Sequence, residues 1–332
     1  MLRDYLRLQL FSTDAGLMTT GVPLDIAGEP VLIYANLKIL LTDGDGHRLG
    51  LQWKGAAAVK PCFRHWNVFN KDAVQRLAHA SSDEYVEISE HDPAEFRQWG
   101  EEEFRDMADL LVAADAACIP KARLEEMHKG LGFAITADGL LACPELRSVI
   151  RWQDVLRYDW VHTMLSDGVL TGEAWRLVEA ATKSKVATQE DLYGFLREAW
   201  VVPQHRRGQG RQLWRIFDTY HSQANADAGA LKCCSSEMLS LYGLLRYWSV
   251  QRLPEHEELA PARKCFLLAC DAVDILLAAK RCHMGMGDAS VALRSALNGW
   301  FSAHKQLWAM VTSSRKPTGR LTWLTTLRRT SA

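Results

Sequence analysis

The 332-residue sequence has no run near the ~18 consecutive apolar residues that a membrane-spanning helix needs. Its first residues, Met1-Leu-Arg-Asp-Tyr-Leu-Arg, lack the uninterrupted apolar stretch of a secretory leader. No internal repeat and no low-complexity tract is present. The eight cysteines (Cys62, Cys118, Cys143, Cys233, Cys234, Cys265, Cys270 and Cys282) are not densely spaced like those of a secreted disulfide scaffold. These absences argue against a membrane partner and an extracellular, disulfide-stapled module. They predict a chain kept reduced inside the cell, in the cytoplasm or the nucleus. Net charge is small too: the formal balance is −1, which names no partner.

Local imbalances of charge say more. Acids dominate between Asp83 and Asp109, with the run Glu101-Glu102-Glu103. Beyond Asp288 no acid occurs, while Arg294, Lys305, Arg315, Lys316, Arg320, Arg328 and Arg329 are basic. Such a segment attracts phosphate backbones, which makes DNA a candidate partner; the bland alternative is an unstructured end.

What is present describes a folded body. Apolar residues make up 48% and charged residues 24%, close to the globular average. Twelve tryptophans are too many for a disordered chain. The length suits one large domain or two ordinary ones. Val31–Thr42, rich in β-branched and large apolar residues, predicts at least one buried strand closed by a tight turn at Asp43-Gly-Asp-Gly, with helix as an alternative over Asn36–Leu41. Residues 49–93 look irregular, with a short strand near Tyr85-Val-Glu-Ile. From Pro93 the spacing turns helical, starting with Phe104, Met107, Leu110 and Leu111, and a second helix should follow Pro120. Gly132–Thr136 reads as a strand. Thr188, Glu190 and Asp191 open a well-signalled helix, and further helices are expected over roughly 211–225, 235–250, 260–281 and 288–311. The resulting division is 1–92, a strand-bearing region; 93–312, a helical region; and 313–332, a basic, disordered tail.

Four stretches carry residue types suited to chemistry. In Leu40-Leu-Thr-Asp-Gly-Asp-Gly, Asp43 closes the expected strand, where rigid backbone can hold a metal-binding carboxylate; the same residues also make an ordinary turn. Cys62 and His65 have a spacing that lets both reach one Zn²⁺, although a structural zinc takes four ligands, and Cys143, His91 or His128 are open choices for the rest. Asp159 and His162, three residues apart, share a face if helical and could pair to orient the ring; equally, Asp159 could cap the helix carrying Trp160, Met164 and Leu165. Glu237 stands at the start of Ser235-Ser-Glu-Met-Leu-Ser-Leu-Tyr. There it could serve the helix dipole or complete a metal site.

In order, these stretches resemble the CACTA (En/Spm-like) group of DDE transposases. Leu41-Thr-Asp43 is similar to that group's strand aspartate, Lys54-Gly55 with Cys62 to its link and cysteine, Asp159-Trp-Val-His162 with Gly168 to its Asp-x-Met-His block, and Ser235-Ser-Glu237 to its helix-borne acid. A still closer likeness, over roughly residues 5–312, is to an uncharacterised family expanded in dinoflagellate genomes, through Lys54, Gly55, Lys60, Pro61, Cys62, Asn67 and Val68, then Tyr158-Asp-Trp-Val-His and Ser236-Glu-Met-Leu. The resemblance implies a mainly α fold with a small β component: an incomplete ribonuclease H-like core with a large helical portion. It implies that Asp43, Asp159, His162 and Glu237 converge on Mg or Mn and that intact relatives cleave and transfer DNA strands. Two departures stand out. His65 replaces the second cysteine, and upstream of Asp43 only Asp4, Asp14 and Asp25 could supply the first catalytic aspartate, none in a strand context. The expected outcome is a catalytically incomplete chain, the alternative being a helical scaffold or DNA-binding remnant.

Overall fold

The computed structural model describes residues 2–12, 16–42, 44–55, 58–70, 85–88, 93–198 and 213–314. The architecture is mainly helical, with three small two-stranded sheets among the described residues. The chain divides into two compact units between Asp159 and Trp160. Residues 93–159, grouped by sequence with the helical region, belong to the first of them. The basic segment 315–332 lies outside the described residues.

The first unit opens with α1 (Leu2–Phe11), then β1 (Val22–Ile26) and β2 (Glu29–Ile33), an antiparallel hairpin. Its two-residue turn places Ala27 and Gly28 at φ of 55° and 87°, the mirror-image geometry that matches strand twist, and the Asp25 carboxylate accepts the Gly28 N–H at 2.7 Å. The buried strand expected over Val31–Thr42 is thereby corrected. It splits into β2, exposed throughout, and β3 (Leu40–Thr42), with no helix over Asn36–Leu41. The turn expected after Asp43 is also corrected. Gly44–Leu51 forms α2, because His47 and Leu51, four residues apart, both bury on one face.

Short β4 (Val68–Phe69) and β5 (Val86–Glu87) pair in parallel, meeting the expectation near Tyr85. The helices after Pro93 and Pro120 are α3 (Glu101–Ala116) and α4 (Lys121–Leu131). The α3 stripe Phe104, Met107, Ala108 and Leu111 is fully buried, each large side chain contributing about 1.5–3 kcal/mol. The acidic run has a structural use. Glu103 accepts the Gly100 N–H, and Glu101 accepts the Trp152 and Gln153 N–H groups at 3.1 and 3.2 Å, capping a neighbouring helix start. Gly132 ends α4 at φ 82°, where a Cβ would lie 2.9 Å from the Lys60 carbonyl oxygen, so only glycine fits. The strand expected over Gly132–Thr136 shrinks to one bridge, Trp53 with Phe133. After α5 (Pro144–Val149) and α6 (Trp152–Val155), β6 (Leu156–Tyr158) pairs in parallel with β3. Trp53, Phe63, Phe104, Phe133 and Trp152 centre this unit's core.

The second unit is helical: α7 (Trp160–Leu165), α8 (Val169–Lys183), α9 (Gln189–Glu198), α10 (Thr219–Ala228), α11 (Ser235–Gln251), α12 (Ala260–Lys280) and α13 (Met286–Ser314). Expected helices therefore appear with small shifts of boundary, except that Leu213–Phe217 is a 3₁₀ turn before α10. Thr188 caps α9 reciprocally with Asp191 (2.8 and 3.1 Å). Its core joins Trp175, Leu177, Met238, Leu241, Trp248 and Phe266.

Candidate functional site

The parallel pairing of β3 and β6 sets Leu40 against Leu156, Leu41 against Arg157 and Thr42 against Tyr158. The pairing runs one step further, since the Asp159 N–H donates to the Thr42 carbonyl at 3.0 Å. Both strands thus end side by side, and the next residue in each chain direction is an acid in sequence, Asp43 and Asp159. Asp43 itself lies outside the described residues. Asp159 is half-buried and precedes α7 rather than lying within it, so it occupies the capping position and not a shared helical face. His162 sits on α7 with its side chain exposed, and Met164 and Leu165 turn into the core. Asp159 closes the first unit, whereas His162 and Glu237 belong to the second.

Glu237 starts α11. Its Oε2 accepts the Cys234 N–H at 2.8 Å, so a carboxylate at this N-terminus satisfies a backbone donor and opposes the helix dipole.

The Lys60–Val68 block is fastened by several hydrogen bonds. The Arg64 guanidinium donates to the Leu156 carbonyl on β6 (3.1 Å), and the Trp99 N–H donates to the Arg64 carbonyl (2.9 Å). Asn67 is buried with both ends used: Nδ2 donates to the Glu95 carbonyl at 3.0 Å, and Oδ1 accepts the Arg97 N–H at 2.7 Å. Cys62 Sγ lies 3.1 Å from His65 Nδ1. Burial pushes the Cys62 thiol up, and burial together with the Arg64 charge takes His65 down to about 4. At neutral pH the pair is therefore a thiol donating to a neutral imidazole, not a thiolate beside an imidazolium. Among the described residues no group of three or more His, Cys, Asp or Glu side chains is placed to hold a metal ion. Of the further zinc ligands considered, Cys143 donates to Glu145 at 3.1 Å, His128 lies 3.9 Å from Glu125, and His91 is outside the described residues.

Lys60 is buried with its ammonium 4.9 Å above the Trp99 ring and 5.4 Å above Phe69. Desolvation brings it down to about 8, and the ring faces partly replace the lost water. Lys54 donates to Glu125 at 2.9 Å. The block's sequence signature thus consists largely of residues that fasten a loop.

The second unit holds a cluster that sequence reasoning missed. Glu173 on α8 is fully buried. One oxygen, Oε1, accepts from Arg176 (2.7 Å), His304 Nδ1 (2.8 Å) and Trp300 Nε1 (3.0 Å), the last two on α13. Burial alone would raise this carboxyl. Arg176 and the His304 and Trp300 hydrogen bonds outweigh it and hold it at about 2. Two signals were legible: an acid within the apolar stripe Leu170, Ala174, Leu177, and an indole and imidazole four residues apart on one helix face. No family model, no curated protein and no solved structure matches the chain.

Proposed function

We propose that this chain is a transposase-derived protein that keeps part of a ribonuclease H-like core in its first unit and engages DNA without cutting it. The observation that carries this reading is the parallel β3–β6 pair, whose last residues are followed in sequence by Asp43 and Asp159. The carboxyl ends of adjacent parallel strands are where open sheets gather binding residues. In an intact site of this class, carboxylates at those positions would hold Mg²⁺ or Mn²⁺ to clamp the attacking and leaving oxygens of a phosphodiester.

Two features favour binding over cleavage. The strands form only two-stranded sheets among the described residues, and Glu237 is engaged in capping its own helix. Affinity for DNA would come from the basic segment Arg315–Arg329, which has no acid to offset it. The helical second unit, with its own core, also favours a second reading as a non-enzymatic scaffold.

Labelled duplex DNA, supercoiled plasmid and magnesium or manganese separate these readings. The expected result is salt-sensitive binding, lost on removing residues 315–332, with the plasmid intact. Nicking that disappears in Asp159→Asn would make the chain a nuclease. No binding at low salt would leave the scaffold.

A further inference from the structure

Two guanidiniums of the first unit meet at one oxygen atom. Arg64 Nη1 donates to the Leu156 carbonyl at 3.1 Å. Arg157 Nη1 donates to the same carbonyl at 2.7 Å and to the Gln153 carbonyl at 3.3 Å. The Arg64 bond fastens a loop to β6 across a separation of 92 residues. The Arg157 bonds fasten nothing further, because they return to its own stretch of chain, one and four residues back. Their effect is to hold a second positive charge beside the first.

Like charges held together repel, which a carboxylate between them would offset. Among the described residues none is within ion-pair distance of either guanidinium. The acid of this stretch, Asp154, is bound by Arg151 at 2.9 Å. Burial and, after it, the charge of Arg157 push Arg64 down from its ordinary value, outweighing the pull of Asp154. Cys62 and Tyr158, the other neighbours able to carry negative charge, are both pushed up by burial and stay protonated at neutral pH. The pair is also open to solvent, with Arg157 exposed and Arg64 half-buried. Both make their bonds through Nη1, so the Nε–Nη2 edge of each has no acceptor among the described residues. That edge can hold a tetrahedral oxyanion through two parallel hydrogen bonds.

We propose that Arg64 and Arg157 together bind a terminal phosphate group, which supplies the missing negative charge. Such a group carries about two charges at neutral pH, one for each guanidinium, and has oxygens for both forks. A backbone phosphodiester carries only one. The site is separate from the basic segment 315–332, so it does not rest on the DNA-binding reading.

Isothermal titration of the full chain with inorganic phosphate at pH 8 tests this, with Arg157→Gln, Arg64→Lys and, as a control, Arg123→Gln at an exposed arginine on α4. Circular dichroism checks folding, and Arg157→Gln leaves the loop attached through Arg64. The expected result is saturable millimolar binding, weakened about tenfold in Arg157→Gln and Arg64→Lys and unchanged in Arg123→Gln. Phenylglyoxal labelling read by peptide mass spectrometry should show phosphate protecting Arg157 and not Arg123. A wild type without saturable binding up to tens of millimolar overturns the proposal, as does binding that Arg157→Gln leaves intact or protection shared equally with Arg123. A short duplex lacking terminal phosphates separates the sources. Its binding should depend little on Arg157, and a stronger dependence than that of inorganic phosphate overturns the choice of a terminal group.

Discussion

Glu173→Gln probes the buried carboxylate cluster of the second unit. The substitution keeps shape and one acceptor oxygen but removes the charge that faces Arg176, His304 and Trp300. Arg176 keeps only 13% of its side chain exposed, so water cannot replace the carboxylate, and an uncompensated buried charge remains. The carboxyl is held at about 2 in the folded chain. Against an unfolded value near ~4.5, the difference is worth about 3 kcal/mol at neutral pH. Because the folded value is depressed, this contribution is complete above the unfolded value and fades as pH falls through 4.5 toward 2. Denaturant unfolding at pH 7 should therefore show Glu173→Gln about 3 kcal/mol less stable. At pH 3 the gap should shrink to less than half. Hydrogen exchange of α8 and α13 peptides should locate the loss in the second unit. Adding Arg176→Met should recover part of it, since a buried pair replaced by apolar groups is often neutral. A variant within about 0.5 kcal/mol of wild type at pH 7 would refute the reasoning, as would a gap that does not change with pH.

Two further predictions follow from the first unit. Lys60 carries a lowered value of about 8 in the folded chain, so its charge opposes folding below that pH, and the penalty is relieved as pH rises from 8 toward 10.5. Lys60→Met should equal or exceed the wild-type melting temperature at pH 7 and lose that advantage by pH 10. A melting temperature well below wild type at pH 7 would show that the ring contacts outweigh desolvation. Cys62, with its thiol raised by burial, should be alkylated at pH 8 far more slowly than the exposed Cys118 and Cys282. Peptide mass spectrometry after brief iodoacetamide treatment checks this, and equal rates would contradict the protonated Cys62–His65 pair.

Helices were legible where local chemistry repeats. The stripe Phe104, Met107, Leu111 and the Thr188–Asp191 cap announce α3 and α9, because a 3.6-residue period and a cap are properties of neighbours in sequence. The strand region was legible only in part. Pro23 and Pro30 weaken the strand signal of Val22–Ile26 and Glu29–Ile33, and two- or three-residue strands such as β3 and β6 leave no pattern above noise. Pairing Leu40 with Leu156 spans over a hundred residues, which no local signal specifies.

The candidate site divides in the same way. Asp159 before a helix and Glu237 in a helix's first turn could be read as caps from their positions, and Glu237 does accept the Cys234 N–H. The Cys62–His65 spacing allowed a metal; the protonation of the pair depends on burial, which comes from packing.

Composition and periodicity alone determined a mainly helical chain with a modest β component, because helix formation is governed by residues three and four apart. Only the tertiary structure decided that Arg176, Trp300 and His304 meet around the fully buried Glu173. Only the fold could place Lys60 over two rings and leave the β1–β2 hairpin exposed on both faces. Burial and long-range approach are properties of the folded chain, and they set the charge states and open surfaces on which chemistry depends.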